Sequence, residues 1–217
     1  MIKIGTTGIG QVKLGETNVL QVRNGNRAVF PYDSEIEYLQ NTGTQFIDTG
    51  IKSAGNVSIK ISLIDYFNAD HLGMWAFGGK NGYLNKEYSL FINGSNQKVN
   101  FRYDNSAIEC DAYSSYSPSS VVEIGGGIIK IGTYQKTYSQ KTFTGSYNIL
   151  LGGSGNGASS PFLGRNKIGV TYISDGTTTR NFIPVRVGQT GYMYDKVSGQ
   201  LFGNAGTGDF ILGPDVV

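Results

Sequence analysis

NVSIKISLI, residues 56–64, alternates apolar with polar side chains, and its apolar members are Val57, Ile59, Ile61 and Leu63. Successive side chains of a β-strand point to opposite faces, so this period of two predicts a strand with one buried and one wet face. The stretch KVNFRYD, residues 98–104, alternates in the same way. This pattern is typical of antiparallel sheets that cover a core on one side.

Similar runs recur along most of the chain. About eleven β-prone runs, roughly ten residues apart and without helical periodicity between them, favour an antiparallel sandwich or jelly roll. They cover residues 45–51, 57–67, 74–77, 88–92, 99–103, 121–124, 128–133, 141–151, 168–173, 182–187 and 191–195.

The composition agrees with this interpretation. Glycine supplies 32 of the 217 residues, about twice the usual share of roughly 7%, and charged residues make up 16%, against about 25% in an average domain. Tyr (14) and Phe (11) are plentiful, and both residue types favour strands. The fold class that we predict is therefore all-β.

The charge distribution and the absence of targeting patterns limit the classes of partner that we expect. The net charge is +2 and Lys and Arg are scattered, so we expect no nucleic-acid and no membrane partner. Cys110, the single cysteine, can form no internal disulfide. The N-terminus lacks a secretory-signal pattern, and no apolar run approaches the roughly 18 residues of a membrane span. We therefore expect synthesis in the cytoplasm without a signal peptide.

The first 30 residues form a ten-residue repeat. Its repeated glycines are Gly5, Gly15 and Gly25, and its repeated apolar residues include Ile9, Val12, Val19, Val22 and Val29. Gly and Asn at the turns suit hairpins, so residues 1–33 are predicted to form a small β-meander. Strands of about six residues, roughly 20 Å long, are marginal alone, so this meander needs a partner surface. We place the sandwich in residues 34–217, after Pro31 and the acidic DSEIE.

Several separated segments carry a family resemblance. They are EYLQNTGTQFIDTGI (37–51), LGRN (163–166), DGTTTRNFIPV (175–185) and YMYDKVSGQLFGNAGTG (192–208). Over roughly residues 35–215 the chain resembles the concanavalin A-like, laminin-G-like lectin domains in structural proteins of tailed bacteriophages and prophages of gut bacteria. The leading repeat is similar to the short repeats that precede such domains in phage tail and fibre-like proteins. The resemblance implies a virion component with a lectin-type sandwich, but fold alone names no ligand.

We accordingly predict a non-enzymatic virion structural protein: a fibre, decoration or adhesin. Residues 1–33 would dock to other virion proteins, and the sandwich would face a host-surface glycan or receptor. We expect a homo-oligomer, with a trimer favoured, because closed assemblies hide the free edges of short strands. Two alternatives stay open: a bacterial cell-surface carbohydrate-binding module, and a sandwich hydrolase.

Sugar contact usually relies on an aromatic platform beside polar side chains. Tyr113 and Tyr116, in the polar stretch DAYSSYSPSS, are expected to be exposed. Trp75 lies in GMWAFGG, whose apolar neighbours favour core packing. The candidate ligand-binding residues are Tyr113, Tyr116, Trp75, Tyr134 and Tyr138.

The sequence motifs that could indicate catalysis or a bound cofactor match their patterns poorly. Glycosidases need two carboxylates flanking the bond, and Glu35 with Glu37, or Glu109 with Asp111, are interpreted as solvated turn residues. NILLGGSGNGA, residues 148–158, matches a dinucleotide fingerprint only superficially, because Pro161 and Gly164 prevent the helix that this site requires. We expect a loop there.

Calcium is the one metal left open. Its oxygen ligands could come from Asp65, Asn68 and Asp70, or from Asp104 and Asn105, although turns are rich in Asp and Asn for conformational reasons. One His and one Cys are too few for a zinc site. We therefore predict no metal ligands and no cofactor, with calcium as the alternative.

Overall fold

The computed structural model describes residues 13–14, 17–18, 22–24, 27–80, 85–155 and 161–216. Within residues 13–29 and 161–162 only the backbone is described. Among the described residues, no helix is long and apolar enough to cross a membrane.

Two short hairpins lie in the repeat. Strands β1 (Lys13–Leu14) and β2 (Thr17–Asn18) pair antiparallel, as do β3 (Val22–Asn24) and β4 (Arg27–Val29). Val22 lies opposite Val29 in the second hairpin. The two hairpins are separate two-stranded sheets, and the meander over residues 1–33 stays a prediction. Of the residues predicted for attachment, Gly5, Gly15, Gly25, Ile9, Val12 and Val19 lie outside the described residues.

The rest of the described chain is a succession of strands. The first eight are β5 (Ser34–Glu35), β6 (Leu39–Gln40), β7 (Ile47–Ala54), β8 (Ser58–Ile64), β9 (Trp75–Gly79), β10 (Glu87–Ile92), β11 (Lys98–Asp104) and β12 (Ser106–Ala112). The others are β13 (Ser120–Gly125), β14 (Ile128–Ile131), β15 (Tyr134–Thr137), β16 (Thr144–Leu151), β17 (Gly153–Gly155), β18 (Pro161–Leu163), β19 (Lys167–Ser174), β20 (Thr179–Val187), β21 (Thr190–Asp195), β22 (Gln200–Phe202) and β23 (Ile211–Leu212). Ala69–His71 and Tyr113–Ser115 form 3-10 turns.

The strands form two sheets. The first sheet has the order β12-β11-β10-β9-β16-β7, and β17 and β18 extend it beside β9. The second sheet has the order β15-β14-β13-β8-β19-β20-β21-β22, with β5 on β20 and β6 between β19 and β23. The pairing is antiparallel except between β17 and β9. This architecture confirms the predicted all-β, jelly-roll-like antiparallel sandwich.

The core lies between the sheets and follows the period of two. From the second sheet, Ile59, Ile61 and Leu63 of β8 enter it. From the first sheet, alternate residues of β10 and β11 do the same, and they are Tyr88, Leu90, Ile92, Val99, Phe101 and Tyr103. The buried face that NVSIKISLI and KVNFRYD predict is therefore confirmed.

All eleven predicted runs contain a strand, but three further segments were misread as loops. Glu109 and Asp111, interpreted as solvated turn residues, lie in the edge strand β12 (Ser106–Ala112), which pairs with β11. Within the glycine-rich stretch, Gly153–Gly155 pairs with Pro161–Leu163. Their sequences carry little apolar periodicity, because the hydrogen bonds of a neighbouring strand, rather than a buried face, hold them.

Candidate functional site

The face of the first sheet that points away from the core carries an unusual set of side chains. In β10 the period of two that sends Tyr88 and Leu90 into the core sends Glu87, Ser89 and Phe91 to the opposite face. In β11 the same rule places Asn100 and Arg102 there, opposite Phe91 and Ser89 respectively. We call this side the outer face of the first sheet.

Two rings stack on this face, and cations lie against them. Trp75 of β9 pairs in register with Phe91 of β10, and their ring centres lie 4.4 Å apart at 22°. The guanidinium carbon of Arg102 lies 4.5 Å from the Phe91 ring centre and 5.1 Å from that of Trp75. Lys80 Nζ lies 5.4 Å from the Trp75 ring centre. Such distances are those of cation–π contacts.

A buried carboxylate completes the group. Glu87 is 0% exposed, its Oε1 accepts a hydrogen bond of 2.6 Å from Ser89 Oγ, and its Oε2 lies 3.8 Å from an Arg102 guanidinium nitrogen. Lys80 is 4% exposed, and burial lowers the pKa of its ammonium while the charge of Glu87 opposes that change. We name Trp75, Lys80, Glu87, Phe91 and Arg102 the aromatic–cation cluster.

The burial of this cluster corrects one expectation. The polar side of KVNFRYD was predicted to be wet, yet Asn100 is buried and only 13% of the Arg102 side chain is exposed. Trp75 is buried, as its apolar neighbours indicate, but it lies outside the hydrophobic core between the sheets. Burying three ionisable groups away from the core costs free energy, and proteins concentrate such arrangements at functional sites.

Small residues line the next position along the outer face. Gly78 of β9 lies opposite Ser89 on one side and Ser154 of β17 on the other. A Cβ at Gly78 would lie 2.7 Å from Ser154 Oγ and would also overlap Ser89, so only glycine fits. Within the described part of the chain, the buried hydroxyl of Ser154 has no hydrogen-bond partner. Ser154 is 0% exposed, so this unsatisfied hydroxyl is enclosed beside Gly78 rather than open to solvent.

Two buried amides hold the backbone behind this face. Asn166 Nδ2 donates to the carbonyl oxygen of Trp75 at 2.8 Å. Asn41 Nδ2 contacts the carbonyl oxygens of Gly152 and Gly164, both at 2.8 Å, and Asn41 Oδ1 accepts from the backbone N–H of Asn166. The LGRN turn at residues 163–166 therefore fixes the position of Trp75, a role that its sequence did not reveal.

The predicted tyrosines lie elsewhere. Tyr116 is 8% exposed, which corrects the expectation of an exposed ring, because its ring enters the core and its hydroxyl accepts the backbone N–H of Asp111 at 2.9 Å. Tyr134 lies 5.4 Å from the Tyr116 ring. Tyr113 was also expected to be exposed but is half-buried against the core, and its backbone carbonyl oxygen accepts the N–H of Tyr116. Tyr138 packs separately on Phe101 and Tyr103. Ligand contact by these tyrosines stays a prediction.

Two of the carboxylates considered for calcium, Asp65 and Asp104, form ion pairs with lysines. Asp65 Oδ2 lies 2.7 Å from Lys167 Nζ, and Lys141 Nζ contacts Asp104 at 3.4 Å and Asn105 at 2.6 Å. Across the described ranges, no group of three or more His, Cys, Asp or Glu side chains is placed to hold a metal ion. Glu109 pairs with Lys98 at 3.0 Å on the outer side of β12.

No protein-family profile and no curated protein matches the chain. Among solved structures it is similar to a protein from Bacteroides ovatus ATCC 8483 described as a "putative carbohydrate binding protein", with 11% sequence identity and a TM-score of 0.49. The match covers 84% of this chain and 61% of that protein. At this identity and TM-score, neither a function nor a residue role of this chain follows from the likeness.

Proposed function

We propose that this protein is a non-enzymatic carbohydrate-binding module whose ligand contacts the aromatic–cation cluster. The observation that carries the proposal is the burial of Lys80, Glu87 and Arg102 against two stacked rings, on the face of a sheet that does not form the core. A core needs no charges, whereas a sugar site combines apolar ring faces with charged hydrogen-bonding groups.

The chemistry of the cluster suits a sugar ring. Aromatic faces pack against the C–H face of a pyranose, and carboxylate and guanidinium groups make strong hydrogen bonds with hydroxyls at its rim. Arg102 is the most exposed of the three charged side chains. A sugar would replace its guanidinium on the Phe91 ring and then accept hydrogen bonds from it. The unpartnered hydroxyl of Ser154 lies beside Gly78 on the same face.

Glycan-array binding tests this proposal. Phe91→Leu removes the aromatic face but keeps apolar volume, so we expect it to weaken glycan binding roughly tenfold. Loss of the stacking on Trp75, about 1 kcal/mol, should lower the melting temperature by only a few degrees. Tyr113→Ala should leave binding unchanged. Loss of binding in Tyr113→Ala with retention in Phe91→Leu would contradict the proposal and support the tyrosine stretch instead.

A second part of the proposal concerns where the module works. The two hairpins within residues 13–29 support an N-terminal attachment segment, and we propose that this segment docks the protein to a virion and that the sandwich is displayed outward. A bacterial cell-surface module is the alternative, and it needs no assembly through the repeat.

The solution mass of the full chain, compared with a chain beginning at Ser34, separates these settings. The virion proposal predicts that only the full chain is a trimer or binds other virion proteins. If both chains are monomers and neither binds purified virions, the cell-surface setting is favoured.

A further inference from the structure

A row of side chains crosses the side of the second sheet that points away from the core. Tyr172 of β19 lies opposite Lys60 of β8, Lys60 lies opposite Glu123 of β13, and Glu123 lies opposite Lys130 of β14. Neighbouring strands are about 4.8 Å apart, so the row extends over roughly 14 Å. We call these four residues the second-sheet row.

The row borders a hollow of about 300 Å³, which lies at the lower end of the size range of ligand sites. Two of its lining residues, Gly125 and Ser58, pack closely, because a Cβ at Gly125 would lie 2.6 Å from the Cβ of Ser58. Ile128 and Tyr172 supply apolar wall, and Tyr172 is 44% exposed. An open aromatic face therefore stands beside a shallow depression.

The charges around the hollow are unequal. Lys60 Nζ and Glu123 Oε1 form an exposed ion pair of 2.8 Å. Lys130 is also exposed, and none of the ion pairs formed within the described ranges includes it. The hollow thus carries one ammonium group in excess, at the end of the row opposite to Tyr172.

We propose that the second-sheet row binds a linear, carboxylate-bearing oligosaccharide. Its sugar ring would stack on Tyr172, the Lys60–Glu123 pair would hydrogen-bond hydroxyls of the next ring, and Lys130 would pair with a carboxylate. A span of roughly 14 Å exceeds one sugar ring, which is why the occupant is a short chain. The inference does not rest on the aromatic–cation cluster, and together the two sites would make the module bivalent, with one site on each sheet.

Titration with two acidic trimers, of galacturonic acid and of guluronic acid, and with their methyl esters, tests the proposal by calorimetry on the full chain. We expect at least one acid to bind and its uncharged ester to bind roughly tenfold more weakly. Lys130→Gln and Tyr172→Ala should each weaken the acid by a similar factor. Lys196→Gln, which removes another exposed lysine charge, should not.

Phe91→Leu separates this site from the aromatic–cation cluster, because it should leave binding of the acidic trimer unchanged. The inference is overturned if neither acid binds at millimolar concentration or if acid and ester bind equally. It is also overturned if Phe91→Leu abolishes binding while Tyr172→Ala does not. Because Tyr172 and Lys130 are exposed, the melting temperatures of Tyr172→Ala and Lys130→Gln should stay within a few degrees of the wild type. Weaker binding by these variants would then not be caused by misfolding.

Discussion

The guanidinium carbon of Arg102 lies 4.5 Å from the centre of the Phe91 ring, on the face of the first sheet away from the core. The same guanidinium is the cation that faces the fully buried Glu87. Arg102 therefore links the two rings of the aromatic–cation cluster to its carboxylate, and its removal should affect both stability and binding.

Arg102→Met should lower the free energy of unfolding by about 3 kcal/mol, because removing one partner of a buried ion pair takes a cation away from the enclosed Glu87 carboxylate. Glu87→Gln in the Arg102→Met background should restore part of that loss. Urea unfolding of the wild type, both single variants and the double variant measures the coupling. Strictly additive effects would show that the two charges do not stabilise each other.

Asn41→Asp should be more destabilising than Asn41→Ala. The amide nitrogen of Asn41 contacts the carbonyl oxygens of Gln45, Gly152 and Gly164, and a carboxylate would place negative charge against all three. We expect a loss of several kcal/mol for Asp, beyond the roughly 1–3 kcal/mol of unsatisfied carbonyls. The exposed Asn181→Asp is the matched control, and thermal unfolding is the measurement. An equal loss of stability in Asn41→Asp and Asn181→Asp would contradict this role of Asn41.

Asp195 should make stability depend on pH in the acid range. Burial opposes its ionisation, but hydrogen bonds from Ser198, from the N–H groups of Asn181 and Val197 and from Arg180 outweigh burial and lower its pKa. A lowered pKa in the folded state contributes stability above the unfolded value of about 3.9 and loses it as pH falls through the folded value. The difference in melting temperature between the wild type and Asp195→Asn should therefore be largest at neutral pH and should shrink as pH falls below about 3.9. A difference in melting temperature that stays constant from neutral to acid pH would contradict this role of Asp195.

Cys110 should resist alkylation in the folded protein. Burial raises the pKa of its thiol to about 11, although a contact with Tyr134 and the charge of Lys136 favour the thiolate. Because the thiolate is the reactive form, little of it exists at pH 8. We expect iodoacetamide to modify Cys110 only after denaturation, by mass spectrometry. Rapid modification of the native chain would show that β12 opens readily.

The sequence predicted the sandwich because its central strands alternate cleanly. NVSIKISLI became β8 and KVNFRYD became β11, each with its apolar side in the core. SAIECDA, residues 106–112, could not be recognised in this way. This edge strand buries little apolar surface, so it shows no clear alternation. It is held by hydrogen bonds with β11, and the local sequence does not indicate that pairing.

The candidate site was harder to predict, because its charges come together only through strand pairing. Lys80 follows β9, Glu87 begins β10 and Arg102 lies in β11. The local sequence around each of them does not indicate that all three share one face of the sheet with Trp75. The alternation of Glu87, Ser89 and Phe91 against Tyr88, Leu90 and Ile92 was the available signal. It identifies a second face, but the burial of that face depends on tertiary contacts.

The most direct test of carbohydrate binding at the first sheet is the affinity of Phe91→Leu for a glycan that the wild type binds on an array. Leucine removes the ring on which the sugar would stack, so the affinity should fall about tenfold. The exposed Ser114→Ala should bind as the wild type does. An unchanged affinity of Phe91→Leu, or the absence of any glycan bound by the wild type, would contradict the account.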